Sequence, residues 1–542
     1  MTHRPLFLEF HYHIQSFFSI SSFSPFSSHS LSPRQQRSFF LFLINIMAEL
    51  TYTPIDDIPQ VLFSHVGRPL THHSAKTRPP YKTNTPTLSP HIKTPKKKIV
   101  QELRATFLTG LTRPLAYRKE QLKGLHNLIA ENEALFKESV YRDLRKPPQE
   151  LMAGETGAIR QEAIDAIKHL DQWAAPQSVK TTLLNRMNKP HIRKTPLGTV
   201  LIIGAWNLPI NLLLAPAVGA IAAGNCVILK PSEVSTHTAA LLTRLLPKYL
   251  DPRSVRIING AAAETTVLLE QKFDHMFYTG SGNIGKVIMA AAAKQLTPVT
   301  LELGGKSPAF VSKDVDIAVA ARRLTFGKLF NTGQACIAPD YLIVERGIEE
   351  ELVKEMKLAI QEFYGASPQT SQSYGRIINK NHFNRLKRLL DTTRGKIVVG
   401  GDTQEDDLYI APTIVLDVKL DDPLMESEIF GPILPIWVVD TLNEGIEYVN
   451  RNDQPLALYV YSHNMKLADH ILENTRSGGA VINDSLIQFM VTALPFGGTG
   501  PSGIGNYHGK RSFDIFSHER ATLVKNLGMQ KALTISYPVS PS

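Results

Sequence analysis

From Ile99 onward the apolar positions of this chain recur at three- and four-residue spacing: Leu103, Phe107 and Leu111, then Leu122, Leu125, Leu128 and Ile129. That period predicts amphipathic helices. Pro114 and Pro147-Pro148 interrupt the run, because proline lacks the N–H that a helix interior needs. Ile159, Ala163, Ile164, Ile167 and Leu170 lay a further apolar face along residues 154–173. From Gly198 the rhythm changes. Short apolar runs at 199–203, 227–229, 255–258, 275–278 and 299–303 alternate with helical stretches. Such alternation predicts an α/β fold built on a parallel sheet with crossover helices. A second α/β set follows residue 336, with strands expected near 341–344, 397–399, 433–439 and 457–461.

Residues 208–229 are nearly all apolar, long enough on paper to cross a bilayer. Asn211, Pro216, Gly219, Gly224 and Asn225 break the stretch, and it runs into Lys230-Pro231. A buried helix followed by a buried strand fits better than a membrane span. Residues 534–542 carry no hydrophobic tail.

The first 98 residues read as a leader, with a plausible helix cap at Thr53-Pro54-Ile55-Asp56-Asp57. Residues 1–46 are rich in Ser, Phe and His, with Glu9 the only acid and only Arg4, Arg34 and Arg37 positive. A transit peptide is one reading; the preferred one makes Met47 the initiator. Residues 66–98 are rich in proline, Thr, Ser, His and Lys, a composition that buries too little surface to offset ordering entropy. A disordered insertion or a retained intron accounts for it, and the rival is a basic interaction segment ending in Lys96-Lys97-Lys98.

Net charge is +10, but residues 1–100 hold eleven Lys/Arg against four Asp/Glu, and the remaining 442 hold 48 against 45. The basicity therefore belongs to the leader, and the body offers no case for nucleic acid. Two cysteines exclude a disulfide framework and fit a reducing compartment, taken as the cytoplasm. No His/Cys cluster has metal-ligand spacing.

Of the two cysteines, Cys226 sits in an apolar run and reads as core. Cys336 ends Phe330-Asn331-Thr332-Gly333-Gln334-Ala335-Cys336, after a glycine that permits close backbone approach to a ligand. A lowered pKa and access to solvent would make it a nucleophile. Glu302, in Leu301-Glu302-Leu303-Gly304-Gly305-Lys306-Ser307-Pro308, lies 34 positions upstream and could be the base that releases a covalent product. Gly280-Ser281 and Gly285 give a G-S-x-x-x-G spacing after a strand and before a helix expected at 284–294, where free N–H groups suit a diphosphate. A lysine after a strand, Lys230, can hold ribose hydroxyls, and Glu233 can accept a 2′-OH.

Together these segments resemble the active-site signatures of the aldehyde dehydrogenase superfamily. Ala205-Trp206-Asn207-Leu208-Pro209, Leu229-Lys230-Pro231-Ser232-Glu233, Tyr278-Thr279-Gly280-Ser281-Gly282-Asn283-Ile284-Gly285, Glu428-Ile429-Phe430-Gly431-Pro432 and Pro495-Phe496-Gly497-Gly498 follow in the family's order. The resemblance runs from about Val100 to about Pro538. Tyr507-His508-Gly509-Lys510-Arg511-Ser512-Phe513-Asp514 is most similar to the class 3 and fatty aldehyde branch, which includes fungal apocarotenal-oxidising enzymes.

The resemblance implies an aldehyde dehydrogenase fold with a Rossmann-like cofactor domain, an α/β catalytic domain and a small oligomerisation element. The expected divisions are an N-terminal helical and cofactor region at 99–303 with a return segment at 484–506, a catalytic region at 304–483 and a C-terminal tail at 507–542. It implies Cys336 as nucleophile, Glu302 as base and Asn207 as oxyanion donor. Trp206, Lys230, Ser232, Glu233, Gly280, Ser281, Gly285, Glu428 and Phe430 would hold the cofactor. NAD is the first choice because Glu233 opposes a 2′-phosphate, and NADP is the second because class 3 enzymes often accept it. The substrate would be a medium- or long-chain aliphatic aldehyde or an apocarotenal, and the assembly a homodimer. The competing reading is a catalytically idle relative with a structural or binding role.

Overall fold

The computed structural model describes residues 96–525, all within one unit, Thr77–Ser542. The expectations for residues 1–46, 66–95 and 534–542 lie outside the described residues. The first described helix, Lys96–Thr109, begins at the three lysines expected to close the leader and buries Val100 and Leu103. Leu115–Glu131 and Glu133–Leu144 follow, with Pro114 standing just before the first as its N-cap residue.

Two sheets organise the chain. The first runs Gly503–Ile504, Val299–Glu302, His275–Thr279, Thr199–Ile203, Cys226–Lys230, Val255–Ile257, parallel except for Gly503–Ile504 at one edge. The five parallel strands are those the apolar runs predicted, and the antiparallel edge Gly503–Ile504 is not; the near-continuous burial of Thr199–Ile203 and Cys226–Lys230 is what a parallel sheet covered on both faces requires. The strand order reverses between Thr199–Ile203 and His275–Thr279. Ligands of open α/β sheets bind outside the carboxyl ends of strands at such a reversal. Trp206-Asn207 and Gly280-Ser281 leave the sheet there.

The apolar stretch 208–229 is the helix Asn211–Ala223, buried at every position, followed by the buried strand Cys226–Lys230. No described helix is long and apolar enough to cross a membrane. Cys226 is fully buried, and burial pushes its thiol up to about 12.

The second sheet runs Lys396–Val399, Thr413–Leu416, Ile433–Val439, Tyr341–Glu345, Pro308–Val311, Ala457–Tyr461, Gly479–Ile482, with only the Lys396–Val399 edge antiparallel. Pro308–Val311, Thr413–Leu416 and Gly479–Ile482 were not predicted. Each is four residues long, and Pro308, Pro412 and Gly479, at or just before their starts, read as turn signals. A third, antiparallel sheet joins Gln177–Ser178, His191–Pro196 and Ser517–Thr522.

The register of the second sheet decides where the chemistry sits. Pro308 pairs with Tyr341, and Leu342 pairs with Ile436. Glu302 lies six residues before Pro308, Cys336 five before Tyr341, and Glu428 five before the strand that starts at Ile433. All three therefore enter the same sheet at its amino edge. Glu302 simultaneously ends a strand of the first sheet at its carboxyl edge.

Candidate active site

The approach to Cys336 is backbone held out of the ordinary regions. Asn331 and Thr332 have φ of 52° and 57°, and Gly333 follows at 73°. A β-branched residue at positive φ is uncommon and marks a site that its surroundings over-determine. At Gly333 a Cβ would stand 2.2 Å from the Gly431 carbonyl oxygen, so the Cys336 loop and the Glu428 loop touch backbone to backbone.

Buried side chains lock this geometry. Gln334 donates to the carbonyls of Asn331 (3.0 Å) and Arg376 (2.9 Å) and accepts from Ile378 N–H (3.0 Å). Asn207, buried after Thr199–Ile203, donates from Nδ2 to the Gln334 carbonyl at 3.1 Å. Its own carbonyl accepts from Lys146 Nζ and Asn331 Nδ2, each at 2.9 Å. An amide nitrogen has two hydrogens, so one N–H remains for a substrate oxygen near Cys336.

Lys146 in turn forms an ion pair with Glu155, both side chains fully buried. Glu155 lies in a π-helical turn, Met152–Thr156, and its Oε2 accepts from Ile210 N–H at 2.8 Å at the start of the helix Asn211–Ala223. π-Bulges recur at functional sites. Lys146→Met is therefore expected to destabilise the fold by about 3–5 kcal/mol, because it strands a buried carboxylate. Thermal unfolding checks this, and a melting temperature equal to wild type would contradict it.

Cys336 is half-buried. The lowered thiol pKa anticipated for a nucleophile is not what this environment produces: burial raises it, and Glu428 and Glu302 push the same way. Hydrogen bonds from the N–H groups of Cys336 and Ile337 act in the opposite sense. The resting group is therefore the neutral thiol. Glu302 is buried, both carboxylate oxygens lack a hydrogen bond among the described residues, and burial holds its carboxyl well above the usual range. Glu428 is raised to about 8 by burial and by Asp340. A Cβ on Gly304 would lie 2.2 Å from Glu428 Oε2, so only glycine lets this carboxylate rest against the segment after Glu302.

The expected cofactor residues line the reversal point and its facing loop. Lys230 Nζ, nearly buried, bonds Glu233 Oε2 at 2.8 Å, with Glu233 about half exposed. Ser232 turns its hydroxyl to the Val234 N–H at 3.3 Å, holding its own loop. Ser281 precedes the helix Gly282–Ala293, which has no acidic residue in its first turn. Gly285 lets that helix approach Leu303, whose side chain a Cβ would meet at 2.9 Å, and at Gly280 a Cβ would strike Tyr278. Trp206 packs edge-on against Phe430, centroids 5.3 Å apart, and lies 4.9 Å from the His382 ring. Open N–H groups at a helix start, a Lys–Glu pair at a strand end and an aromatic wall form a surface that fits a dinucleotide. No group of described residues could hold a metal ion.

The family model described as "Aldehyde dehydrogenase family" matches residues 83–522. The dimeric NADP-preferring aldehyde dehydrogenase of Mus musculus is 47% identical over 444 residues, covering 82% of this chain and 98% of the mouse protein. Aldehyde dehydrogenase family 3 member A2 of Macaca fascicularis is 46% identical, over 81% and 90%. Among solved structures, the substrate-bound AldH of Staphylococcus aureus is 41% identical with a TM-score of 0.78, covering 79% of this chain and 94% of that one. The chain belongs to the aldehyde dehydrogenase family.

Several residues that build this aldehyde dehydrogenase site were not anticipated. Lys306 Nζ bonds Asp340 (2.7 Å) and the carbonyl of Leu424 (2.6 Å), while Asp340 accepts Ile429 N–H at 3.1 Å. Asp340, four residues beyond Cys336, thus ties the Cys336 loop to the Glu428 loop. Glu150, raised to about 7 by burial, accepts Asn331 N–H at 2.8 Å. Lys306 and Gln334 lay inside the quoted motifs and could have been named from them. Lys146 stands in the break before Pro147-Pro148, and Glu150 and Glu155 in the helical turns after it, with no signal that they turn inward.

Proposed function

We propose that the enzyme oxidises an aldehyde to its carboxylic acid with NAD(P), through a thioester on Cys336. The observation that carries this is the convergence of Cys336, Glu302 and Glu428 before aligned strands of one sheet, with Asn207 bonded into the Cys336 loop. The thiol loses its proton to solvent, and its sulfur bonds the carbonyl carbon. The resulting alkoxide is stabilised by Asn207 Nδ2 and the Cys336 N–H; one such donor is worth about 3–4 kcal/mol of barrier. Lys230 and Glu233 would hold the adenosine ribose, the Ser281–Gly282 turn the diphosphate, Glu428 the nicotinamide ribose, and Trp206 and Phe430 the ring region. Bound there, the nicotinamide supplies the hydride acceptor. Glu302 then takes a proton from water, whose oxygen displaces the sulfur. Glu233 opposes a 2′-phosphate, but a half-exposed carboxylate already paired with Lys230 is partly screened. NAD is therefore first and NADP second.

An apolar aldehyde is favoured by the surface next to the site. Phe489 packs edge-on against Phe496 and His508 at 5.2 and 5.4 Å. Beside it Ile487, Met490, Val491 and Leu494 are each 41–49% exposed, an apolar patch of the kind that marks a binding surface. A medium- or long-chain aliphatic aldehyde, or an apocarotenal, suits it. Val179, Leu183, Met187, Leu523 and Val524 are exposed in or beside the small antiparallel sheet, which supports a homodimer through that element.

Steady-state assays with benzaldehyde, hexanal, hexadecanal and an apocarotenal, each with NAD and NADP, test the reading. Expected is a kcat/KM that rises from hexanal to hexadecanal. A preference for benzaldehyde overturns the chain-length assignment, and no turnover of any aldehyde favours the idle relative. The pH dependence follows from the raised groups. Cys336 and Glu302 must both lose a proton above their ordinary values, so the NADH burst rate and the steady-state rate should both climb through the alkaline range. A profile already flat at pH 7 contradicts this.

A further inference from the structure

We propose that the phenol of Tyr507 is the second anchor of the water that releases product, opposite Glu302. The proposal rests on Glu302 acting as the base, and its test separates the two. Tyr507 is 1% exposed, and its Oη makes no hydrogen bond among the described residues. The two carboxylate oxygens of Glu302 share that condition. Unpaired buried polar atoms are uncommon in folded proteins and call for a specific explanation. Here they come in a cluster around the nucleophile.

The sheet register brings them together. The Tyr507 ring stands edge-on to Phe277 at 5.2 Å. Phe277 pairs with Thr300, and two residues on Thr279 pairs with Glu302, so Phe277, Thr300 and Glu302 share one face. The return strand that leads to Tyr507 pairs Gly503 with Glu302 itself. Tyr507 and Phe496 then exchange backbone hydrogen bonds of 2.8 and 3.0 Å. After burial, the charges opposing ionisation of the phenol are those of Glu302, Cys336 and then Glu162.

The segment is held firmly. His508 has a φ of 85°, its N–H bonds Ser512 Oγ at 2.9 Å, and its ring stacks on Phe496 at 5.1 Å. Gly509 N–H bonds both oxygens of buried Glu162, at 3.1 and 3.0 Å. A strained backbone held from both sides is a feature of built sites.

A water between the two groups donates one hydrogen to the Glu302 carboxylate and the other to Tyr507 Oη. Its lone pair is left facing the thioester carbon. Glu302 takes the first proton, the water oxygen bonds that carbon, and the carbon–sulfur bond breaks. The acid departs and Cys336 leaves as thiolate, recovering the proton from Glu302. Tyr507 neither gains nor loses a proton; it orients.

Y507F in the full chain removes one oxygen and nothing else. The expected result is an NADH burst of wild-type rate and amplitude, followed by a steady state at least tenfold slower. Hydrolysis of p-nitrophenyl acetate should slow equally, since it shares deacylation. Hydroxylamine, a nucleophile that needs no positioning by the phenol, should restore turnover. Wild-type turnover, a lost burst, no rescue, or failure of Y507F to fold would each overturn the proposal. Glu302→Gln run in parallel distinguishes the failures. If Glu302→Gln turns over normally, the base assignment falls; if it stalls while Y507F does not, Tyr507 alone is wrong.

Discussion

Replacing Cys336 by alanine is expected to lower aldehyde oxidation by about a thousandfold or more, with NAD binding unchanged. The size follows from losing the atom that carries the covalent intermediate, since no neighbouring group can replace it and removing a nucleophile disables the other catalytic groups with it. Among the described residues the only other thiol is Cys226, buried in the first sheet with its pKa near 12. Cofactor binding should survive, because the Lys230–Glu233 pair and the start of Gly282–Ala293 stand on the first sheet, while Cys336 enters the second. Titration calorimetry with NAD beside the activity assay checks both halves. Near-normal turnover in the variant would end the nucleophile assignment. Cys226→Ala is the control: it should keep full activity and cost about 1–2 kcal/mol for a small cavity.

How much of this was legible beforehand depended on whether a signal is local. The five parallel strands of the first sheet were readable because each is a continuous apolar run between turn residues, and full burial needs nothing else. The helix Asn211–Ala223 was readable as buried and not membrane-spanning, since Asn211, Pro216, Gly219, Gly224 and Asn225 break the stretch and it runs into Lys230-Pro231. Of the four four-residue strands of the second sheet only Lys396–Val399 was readable; Pro308, Pro412 and Gly479, at or just before the starts of the other three, read as turn signals. At the site, Cys336, Glu302 and Asn207 were named from motifs, but the motifs say nothing of protonation. The raised thiol of Cys336 comes from burial and from two carboxylates distant in sequence, Glu428 at 92 positions and Glu302 at 34. The same limit hid Lys146 and Glu155. Nine residues apart and separated by Pro147-Pro148, they carry no sequence signal that packing buries them together.

Glu302→Gln should separate the two halves of the reaction. Glutamine keeps the shape of the side chain and cannot accept a proton, so the change removes basicity alone. Formation of the thioester uses Cys336, Asn207 and the bound cofactor, and none of these depends on Glu302 gaining a proton. The first turnover should therefore proceed, giving a burst of about one NADH per active subunit. Hydrolysis then lacks its base and should slow by about 100- to 10,000-fold, the usual worth of a positioned general base. Removing the carboxylate also relieves one of the two charges that raise the Cys336 thiol. The burst should then reach its plateau at a lower pH than in the wild type, even as the steady state collapses. Stopped-flow NADH absorbance across pH 6 to 10 reads both effects in one series. A variant with no burst and weakened NAD binding would instead make Glu302 a structural residue at the end of Val299–Glu302. A burst whose pH dependence does not move would show that its charge is not felt at the thiol.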